Sequence, residues 1–471
     1  MKILLINPPS KKEIIANNPP IIEEERGYNP PLGLLYLAAY LRNYSQHQVG
    51  VIDSQVEELS YAQLKKKIAM ASPDLVGITA MTLTLLDVLE TVRLTKQISR
   101  KIKVILGGPH VHIFPKETIN LPGVNFLVLG EGEKVFCDLV EAIDKKKNLE
   151  KVKGIVFKKN QKVVNTGARR FIDRLDEIPF PARDLTPFKK YSSLMAKRQP
   201  VTTMITSRGC PFRCRFCDRP NLGKFFRSRS AQNVVDEMEA CVKMGIYEFL
   251  IYDDTFTVDR GRVIEICQEI SKRGLNIGWD IRARVNTVDK KLLRFLKKAG
   301  CERIHYGVES GSPKVLRALN KGITIQEIKN AFRWTKQAGI ETLAYFMIGN
   351  PQEGDNEIRA SVKLMRQLEP DYVHLTVLTP FPATPLYLEA LAKKKIKKDV
   401  WCLFAQKPDV NFVPPIWEEN YSRQELFKIA AQIYQEFYMR PGYIFRQLVK
   451  VKSPKEAYRK IKAGLKVVGM K

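Results

Sequence analysis

Three cysteines at one spacing constrain this chain more than anything else in it. Residues 208–217 read Arg-Gly-Cys-Pro-Phe-Arg-Cys-Arg-Phe-Cys, so Cys210, Cys214 and Cys217 form a C-x3-C-x2-C run. Three thiolates can hold three irons of a cubane cluster and leave the fourth iron open for a ligand. Structural zinc takes four closed ligands, and the nearest histidine in sequence, His305, is far from the run. A three-ligand site with an open position is a catalytic arrangement. Arg208, Arg213, Arg215 and Arg219 surround it, and cations stabilise thiolates and an anionic cluster. Phe216, directly before the last cysteine, is placed to shield the cluster from water. Cys137, Cys241, Cys267, Cys301 and Cys402 stand alone in helical or apolar settings and read as buried small hydrophobes.

The run sits in the second of two alternating strand–helix series. The 471 residues, 44% of them hydrophobic, are enough for two or three domains with their own cores. In the first series, short apolar strands near residues 2–6, 49–53, 75–79, 104–106 and 126–129 are separated by helical patterns. That alternation predicts a doubly wound parallel sheet with its ligand beyond the carboxyl ends of the strands. Residues 154–165 read as a hairpin around Asn160-Gln161, and the proline-rich stretch 173–200 as a linker. In the second series, strands near 201–207, 249–252, 277–281, 303–307, 342–348 and 372–378 alternate with helices of three to four turns. Six such units predict a partial, open version of the parallel barrel, whose functional groups sit at the strand carboxyl ends. The expected divisions are 1–150, 151–200, 201–390 and a helical extension over 391–471.

The C-x3-C-x2-C spacing after the first strand of a βα series resembles the radical S-adenosylmethionine superfamily. The resemblance implies that the open iron binds the amino and carboxylate groups of S-adenosylmethionine. One electron then splits the sulfonium to methionine and a 5′-deoxyadenosyl radical. It also implies site roles at the later strand ends. Asp253 or Asp254 would bind the methionyl amine, although two carboxylates stand here in place of the usual Gly-Gly-Glu. Arg284 would pair with the cofactor carboxylate through its guanidinium fork. Glu309, followed by Ser310, would hydrogen-bond the ribose, and Gly349 would form the turn under the adenine. Asp259 suits the N-cap of the helix starting near Arg260.

In the first series, Asn7-Pro8-Pro9, Pro30-Pro31-Leu32-Gly33, Gly107-Gly108-Pro109-His110 and Gly130-Glu131-Gly132-Glu133 resemble the cobalamin-binding members of that superfamily. These include the class B methylases and the anaerobic cyclase of bacteriochlorophyll synthesis, and the resemblance covers about residues 1–390. It implies an N-terminal Rossmann-like cobalamin-binding domain followed by a partial (β/α)6 TIM-type barrel. Gly107, Gly108, Gly130, Glu131 and Gly132 would lie against the cofactor. Glycines at strand ends let backbone approach a bulky ligand, and helix N-termini offer N–H groups to its phosphate. Many cobalamin folds carry Asp-x-His-x-x-Gly, with the His on cobalt. Here Asp53-Ser54-Gln55-Val56-Glu57-Glu58 has Gln for His, so cobalamin would bind without a protein imidazole. His110 and His112 read as surface-loop histidines, with a place near the corrin face as the alternative.

The formal net charge is +28, and a basic surface attracts anionic membrane or nucleic acid. Basic residues from Arg446 to Lys471 alternate with apolar ones, which suits an anionic membrane surface and a lipid-like small-molecule substrate. A solvated end helix packed on the barrel is the first reading of this stretch and the membrane surface the second. A nucleic-acid partner is not expected: the three extra N-terminal cysteines of the methylthiotransferases are absent, as is an evident RNA-binding module. No leader is expected, because the apolar start ends at Pro8-Pro9. No run reaches the about 18–20 apolar residues of a membrane span, so a cytoplasmic enzyme with an external donor of flavodoxin or ferredoxin type is expected. The resemblance points to a cobalamin-dependent radical methyltransferase acting at an unactivated carbon. Ring closure or oxidation within the same family is the second reading, and non-catalytic metal or nucleic-acid binding the third.

Overall fold

The computed structural model describes residues 1–17, 27–217 and 225–449. Arg219 and the basic tail beyond Val449 lie outside the described residues. Two sheets dominate. The first comprises β1 (Lys2–Asn7), β2 (Gln48–Asp53), β3 (Leu75–Thr79), β4 (Lys103–Gly107), β5 (Phe126–Val128), β6 (Ile155–Lys159) and β7 (Lys162–Asn165), in the order β2-β1-β3-β4-β5-β6-β7. The five expected strands are parallel. The expected hairpin belongs to this sheet rather than to a separate division: β6 pairs antiparallel with β5 and β7 with β6, extending the sheet to seven strands. Apolar side chains on both faces of the central strands explain why helices must cover both sides. One layer packs Leu5 and Ile105 against Leu34 and Phe136; the other packs Leu4 and Leu106 against Leu64 and Val88.

Between the first and second strands of the second sheet lie two short strands, β9 (Ser207–Arg208) and β10 (Arg227–Ser228), which pair antiparallel with one another. The second sheet comprises β8 (Val201–Met204), β11 (Glu248–Ile251), β12 (Gly278–Ala283), β13 (Cys301–Glu309), β14 (Glu341–Ile348) and β15 (Tyr372–Val377). These six strands run parallel and in sequential order, so the barrel is partial, as the pattern predicts. Its intervening helices start where capping chemistry says they should. Ser230, Asp259, Asp289 and Thr324 each accept from a backbone N–H in the first turn.

A partial barrel leaves β15 as an edge, with backbone groups that an open strand would offer to any neighbour. The helix Arg423–Tyr438 covers that edge with two hydroxyls. Tyr434 Oη accepts from Leu375 N at 2.7 Å and donates to Leu375 O at 3.0 Å. One turn on, Tyr438 Oη does the same for Val373 at 3.0 and 2.8 Å. On this helix Leu426, Ile433 and Phe437 are buried, while Ile429 is only partly covered. Among the described residues no helix is long and apolar enough to cross a membrane.

Candidate active site

The cysteine loop leaves β9 through Gly209, whose φ of +80° is open to glycine at no steric cost. It is pinned from two sides. Arg215 N donates to Leu319 O at 2.9 Å and Asn320 Nδ2 to Arg213 O at 2.8 Å, tying the loop to the turn after β13. Leu386 N donates to Arg215 O at 2.9 Å, tying it to the helix Pro385–Ala392. Cys210 is buried, with its sulfur 3.7 Å from Thr255 Oγ1. Cys217 N donates to Cys214 O at 3.3 Å. All three cysteines are free thiols.

Two cations stand over this loop. Arg284 donates to Cys214 Sγ at 3.4 Å, lies 3.9 Å over the Phe212 ring and also bonds Lys321 O. Lys321 Nζ is 5.7 Å over the Phe216 ring and 2.6 Å from Glu309 Oε1, with both charges buried. Glu309 takes a φ of +66°, which costs a non-glycine residue on the order of 1–3 kcal/mol. Gly307 makes room for the pair: a Cβ there would stand 2.4 Å from Glu309 Oε1. Phe216 packs into an apolar cluster with Phe114, Leu386 and Trp401, so it shields one side of the loop from water.

Not every expected residue faces this mouth. Asp253 is buried and turned inward: it accepts from Thr206 N, Thr206 Oγ1 and Ser207 Oγ, each at 2.6 Å. It fixes the strand leading into the loop, and Asp254, half-buried, is the neighbouring carboxylate. Ser310 is likewise internal, bonded to Ser361 Oγ at 3.1 Å and to Ser312 N. Gly349 has φ +75°, and a Cβ there would meet Leu426 at 2.8 Å, so its bare side is packed on the helix Arg423–Tyr438. Asp259 is the N-cap expected of it.

At the ends of β3, β4 and β5 the glycines divide by role. Gly108 (φ +107°) lets the loop close on Ala80: a Cβ would be 2.8 Å from Ala80 O, and His110 N donates to that oxygen at 3.1 Å. Gly107 accepts from Ala80 N at 2.7 Å. Gly130 (φ +69°) faces open space, whereas a Cβ on Gly132 would press Leu37 at 3.1 Å. Glu131 is not turned to a ligand. It is buried, its carboxylate 3.0 Å from Arg208 and 2.9 Å from Arg227, and it accepts from Ile172 N at 2.6 Å. Glu133 holds the other arm of Arg208 at 2.5 Å. Burial alone would push the Glu133 carboxyl up, but the Arg208 guanidinium holds it below the usual carboxylate range. Sequence reading missed this seam because an ion pair between residues 75 apart leaves no local pattern.

His110 is not on the surface. It is fully buried, with Nδ1 3.0 Å from Thr82 Oγ1, and burial lowers its pKa to about 4, so the ring is neutral. Gln55, in the place of the missing imidazole, donates to Pro8 O at 3.3 Å. Four of the five isolated cysteines are buried, with Cys267 pushed up to about 12 by burial, while Cys402 is only half-buried.

These side chains fit the implied cofactors. The three free thiols with an arginine N–H on one sulfur suit an anionic iron–sulfur cluster. Among the described residues no three His, Cys, Asp or Glu converge as ligands of a single ion would; a cubane instead spreads its thiolates over three irons. The open space at Gly130 suits a bulky ligand over the first sheet, and the buried Nε2 of His110 has no hydrogen-bond partner among the described residues.

Comparison with known proteins agrees. Residues 204–365 match the Radical SAM superfamily and residues 20–140 the B12 binding domain. The chain is 35% identical over 455 residues to an uncharacterized methyltransferase of Pyrococcus horikoshii, covering 95% of both chains. It is 32% identical over 431 residues to the anaerobic magnesium-protoporphyrin IX monomethyl ester cyclase of Rubrivivax gelatinosus, covering 89% of this chain and 76% of the relative. Among solved structures, the cobalamin-dependent S-adenosylmethionine radical enzyme OxsB superposes with a TM-score of 0.75 at 20% identity, over 98% of this chain and 71% of that one. The radical S-adenosylmethionine methyltransferase TsrM of Kitasatospora setae gives 0.69 at 20% identity, over 83% and 78%. The chain belongs to the cobalamin-binding radical S-adenosylmethionine enzymes. Its cofactors are a [4Fe–4S] cluster, S-adenosylmethionine and cobalamin, and a small-molecule substrate and a reductant accord with that family.

Proposed function

We propose that this enzyme transfers a methyl group to an unactivated carbon of a small molecule. The observation that carries the reading is the seam at Arg208. The residue two before Cys210 is clamped by Glu131 and Glu133, so the loops at the end of β5 are held against the loop that bears the cysteines. A chain that keeps two cofactor-bearing loops in register is built for chemistry that uses both. When bound, the cluster supplies the electron that splits S-adenosylmethionine and cobalamin carries the methyl group. The protein holds and orients them: Cys210, Cys214 and Cys217 take the cluster, Arg284 and Asp254 the ends of the methionyl group, and Glu309 the ribose edge. The loops of Gly107, Gly108, Gly130 and Gly132 would lie against cobalamin, Gly130 through the open space beside it and Gly108 and Gly132 by letting those loops pack on Ala80 and Leu37. The electron donor is an external protein of flavodoxin or ferredoxin type. The basic stretch from Arg446 onward makes a peripheral contact with an anionic membrane from the cytoplasmic side.

The test is anaerobic. The reconstituted full chain is given cobalamin, reductant and S-adenosylmethionine, and the products are read by mass spectrometry. Formation of 5′-deoxyadenosine together with S-adenosylhomocysteine supports methyl transfer. The relationship to the Rubrivivax cyclase favours a second reading, ring closure or oxidation, and 5′-deoxyadenosine without S-adenosylhomocysteine would select it. Cys→Ala at each of the three positions should abolish 5′-deoxyadenosine. Persistence of that product in all three variants refutes the cluster assignment.

A further inference from the structure

The concave face of the barrel sheet carries polar groups that neither cofactor loop uses. Side chains alternate along β12–β15. One set, including Ile281, Ile304, Phe346 and Leu375, enters the apolar core under the helices. The other set faces the inside of the barrel, and there Asp280, Arg282, His305, Tyr345 and His374 occupy successive strands. They rise in order. Asp280 Oδ2 lies 3.5 Å from His305 Nε2, both residues buried; His305 Nδ1 is 3.1 Å from Tyr345 Oη; and the Tyr345 ring packs on His374 at 5.2 Å. Tyr345, His374 and Arg282 are half-buried, so solvent reaches the row there, while Asp280 and His305 are buried and form its floor.

The floor is chemically unfinished. Asp280 Oδ1 is buried with no hydrogen-bond partner among the described residues, and buried His305 Nε2 has only the Asp280 carboxylate beside it. The Asp280 contact at 3.5 Å is too long for a well-formed bond. A carboxylate beside Nε2 favours the proton on that nitrogen, which leaves Nδ1 to accept from Tyr345. Arg282 lies flat, 3.8 Å over the Tyr252 ring, and spends one terminal nitrogen on Ile251 O at 2.9 Å. Its other terminal nitrogen has no partner among the described residues. A hydrocarbon seated here would strand every one of these groups away from water. A molecule with an oxyanion for Arg282, and a hydroxyl or amine for Asp280, would satisfy them.

We propose that this floor binds the head group of the enzyme's substrate, an oxyanion on a small molecule that also carries a hydroxyl or amine. The inference rests on the methyl-transfer reading. Its test uses S-adenosylmethionine with a deuterated methyl group and the reconstituted full chain. Two probes are compared: the small molecules of a cell extract retained on an anion-exchange resin, and the neutral, organic-soluble fraction of the same extract. Label should enter the anionic fraction, and phosphatase treatment of that fraction separates a phosphate from a carboxylate. Arg282→Gln should raise the amount of fraction needed for half-maximal labelling at least tenfold, with Arg282→Lys recovering part of it. If Arg282→Gln does not fold, Tyr345→Phe serves, and should raise it several-fold. Label in the neutral fraction, or variants that match the wild type, overturns the inference while leaving methyl transfer standing. Formation of 5′-deoxyadenosine with no label in either fraction overturns the methyl-transfer reading and this inference with it.

Discussion

Arg208 and Glu133 meet at 2.5 Å, both buried, where the first sheet's loops touch the cysteine loop. Glu131 holds the same guanidinium at 3.0 Å. Removing one partner of a buried ion pair costs about 3–5 kcal/mol, because the charge left behind is neither solvated nor paired. Arg208→Met strands Glu133 and leaves Glu131 on Arg227 alone, and should destabilise the chain by about that amount, read as a lowered denaturation midpoint. It should also lower iron retained after reconstitution. Wild-type stability in Arg208→Met would show that the seam is not closed in solution.

Arg284 donates to Cys214 Sγ and brings a cation to the same sulfur. Hydrogen bonds and charge at the sulfurs tune the potential of such clusters. Arg284→Met should leave three cysteines able to hold iron but make the cluster harder to reduce. An EPR-monitored redox titration reads this as a more negative midpoint. An unchanged midpoint would place Arg284 outside the electrostatics of the cluster.

Glu248 sits at the other end of the barrel. Burial, with a smaller push from Glu302, raises its carboxyl from 4.5 to about 7. The folded state therefore binds a proton more tightly than the unfolded one. Glu248 costs nothing below pH about 4.5, and stability falls as pH rises from there to about 7. The loss amounts to roughly 3 kcal/mol. Glu248→Gln should remove that slope, so its advantage over the wild type grows across this window. Melting curves at several pH values check it, and parallel curves for the two proteins would count against it.

The glycines after β4 and β5 offer a paired comparison. Gly108→Ala puts a Cβ 2.8 Å from Ala80 O at a φ of +107°, so the loop must shift. Gly130→Ala meets no atom within 4 Å and incurs only the strain of its positive φ. Equilibrium dialysis with cobalamin should show a loss of tenfold or more for Gly108→Ala. Gly130→Ala should lose binding only if the ligand fills the open space it faces. Unimpaired binding by both would move cobalamin away from these loops.

Much of this was legible in the chain, for reasons that differ by scale. Period and capping gave both series of strands, because burial on both faces of a parallel strand forces an apolar run and N-caps need short polar side chains. The cysteine run was legible because a cluster demands fixed spacing in one loop. The roles of Asp253 and Glu131 were not. Each sits in a motif that predicts a ligand contact, yet the three-dimensional neighbours, Thr206 and Ser207 for one and Arg208 and Arg227 for the other, take the carboxylate first. His110 read as a loop residue because nothing local says that Phe114 and Thr82 will enclose it. The hairpin reads as one in the sequence but falls outside the first domain there, because strand pairing is a property of the partner, here β5, and not of the hairpin itself.

The hydroxyls of Tyr434 and Tyr438 stand where a seventh barrel strand would pair. By taking those backbone groups they cover an edge that would otherwise be free to pair, a task other proteins give to edge charges or prolines. The cover comes from residues far along the chain, so during synthesis the six strands are complete before their edge is closed. A nascent or truncated chain ending before Arg423 would expose that strand, and its fate would be aggregation rather than mere loss of stability.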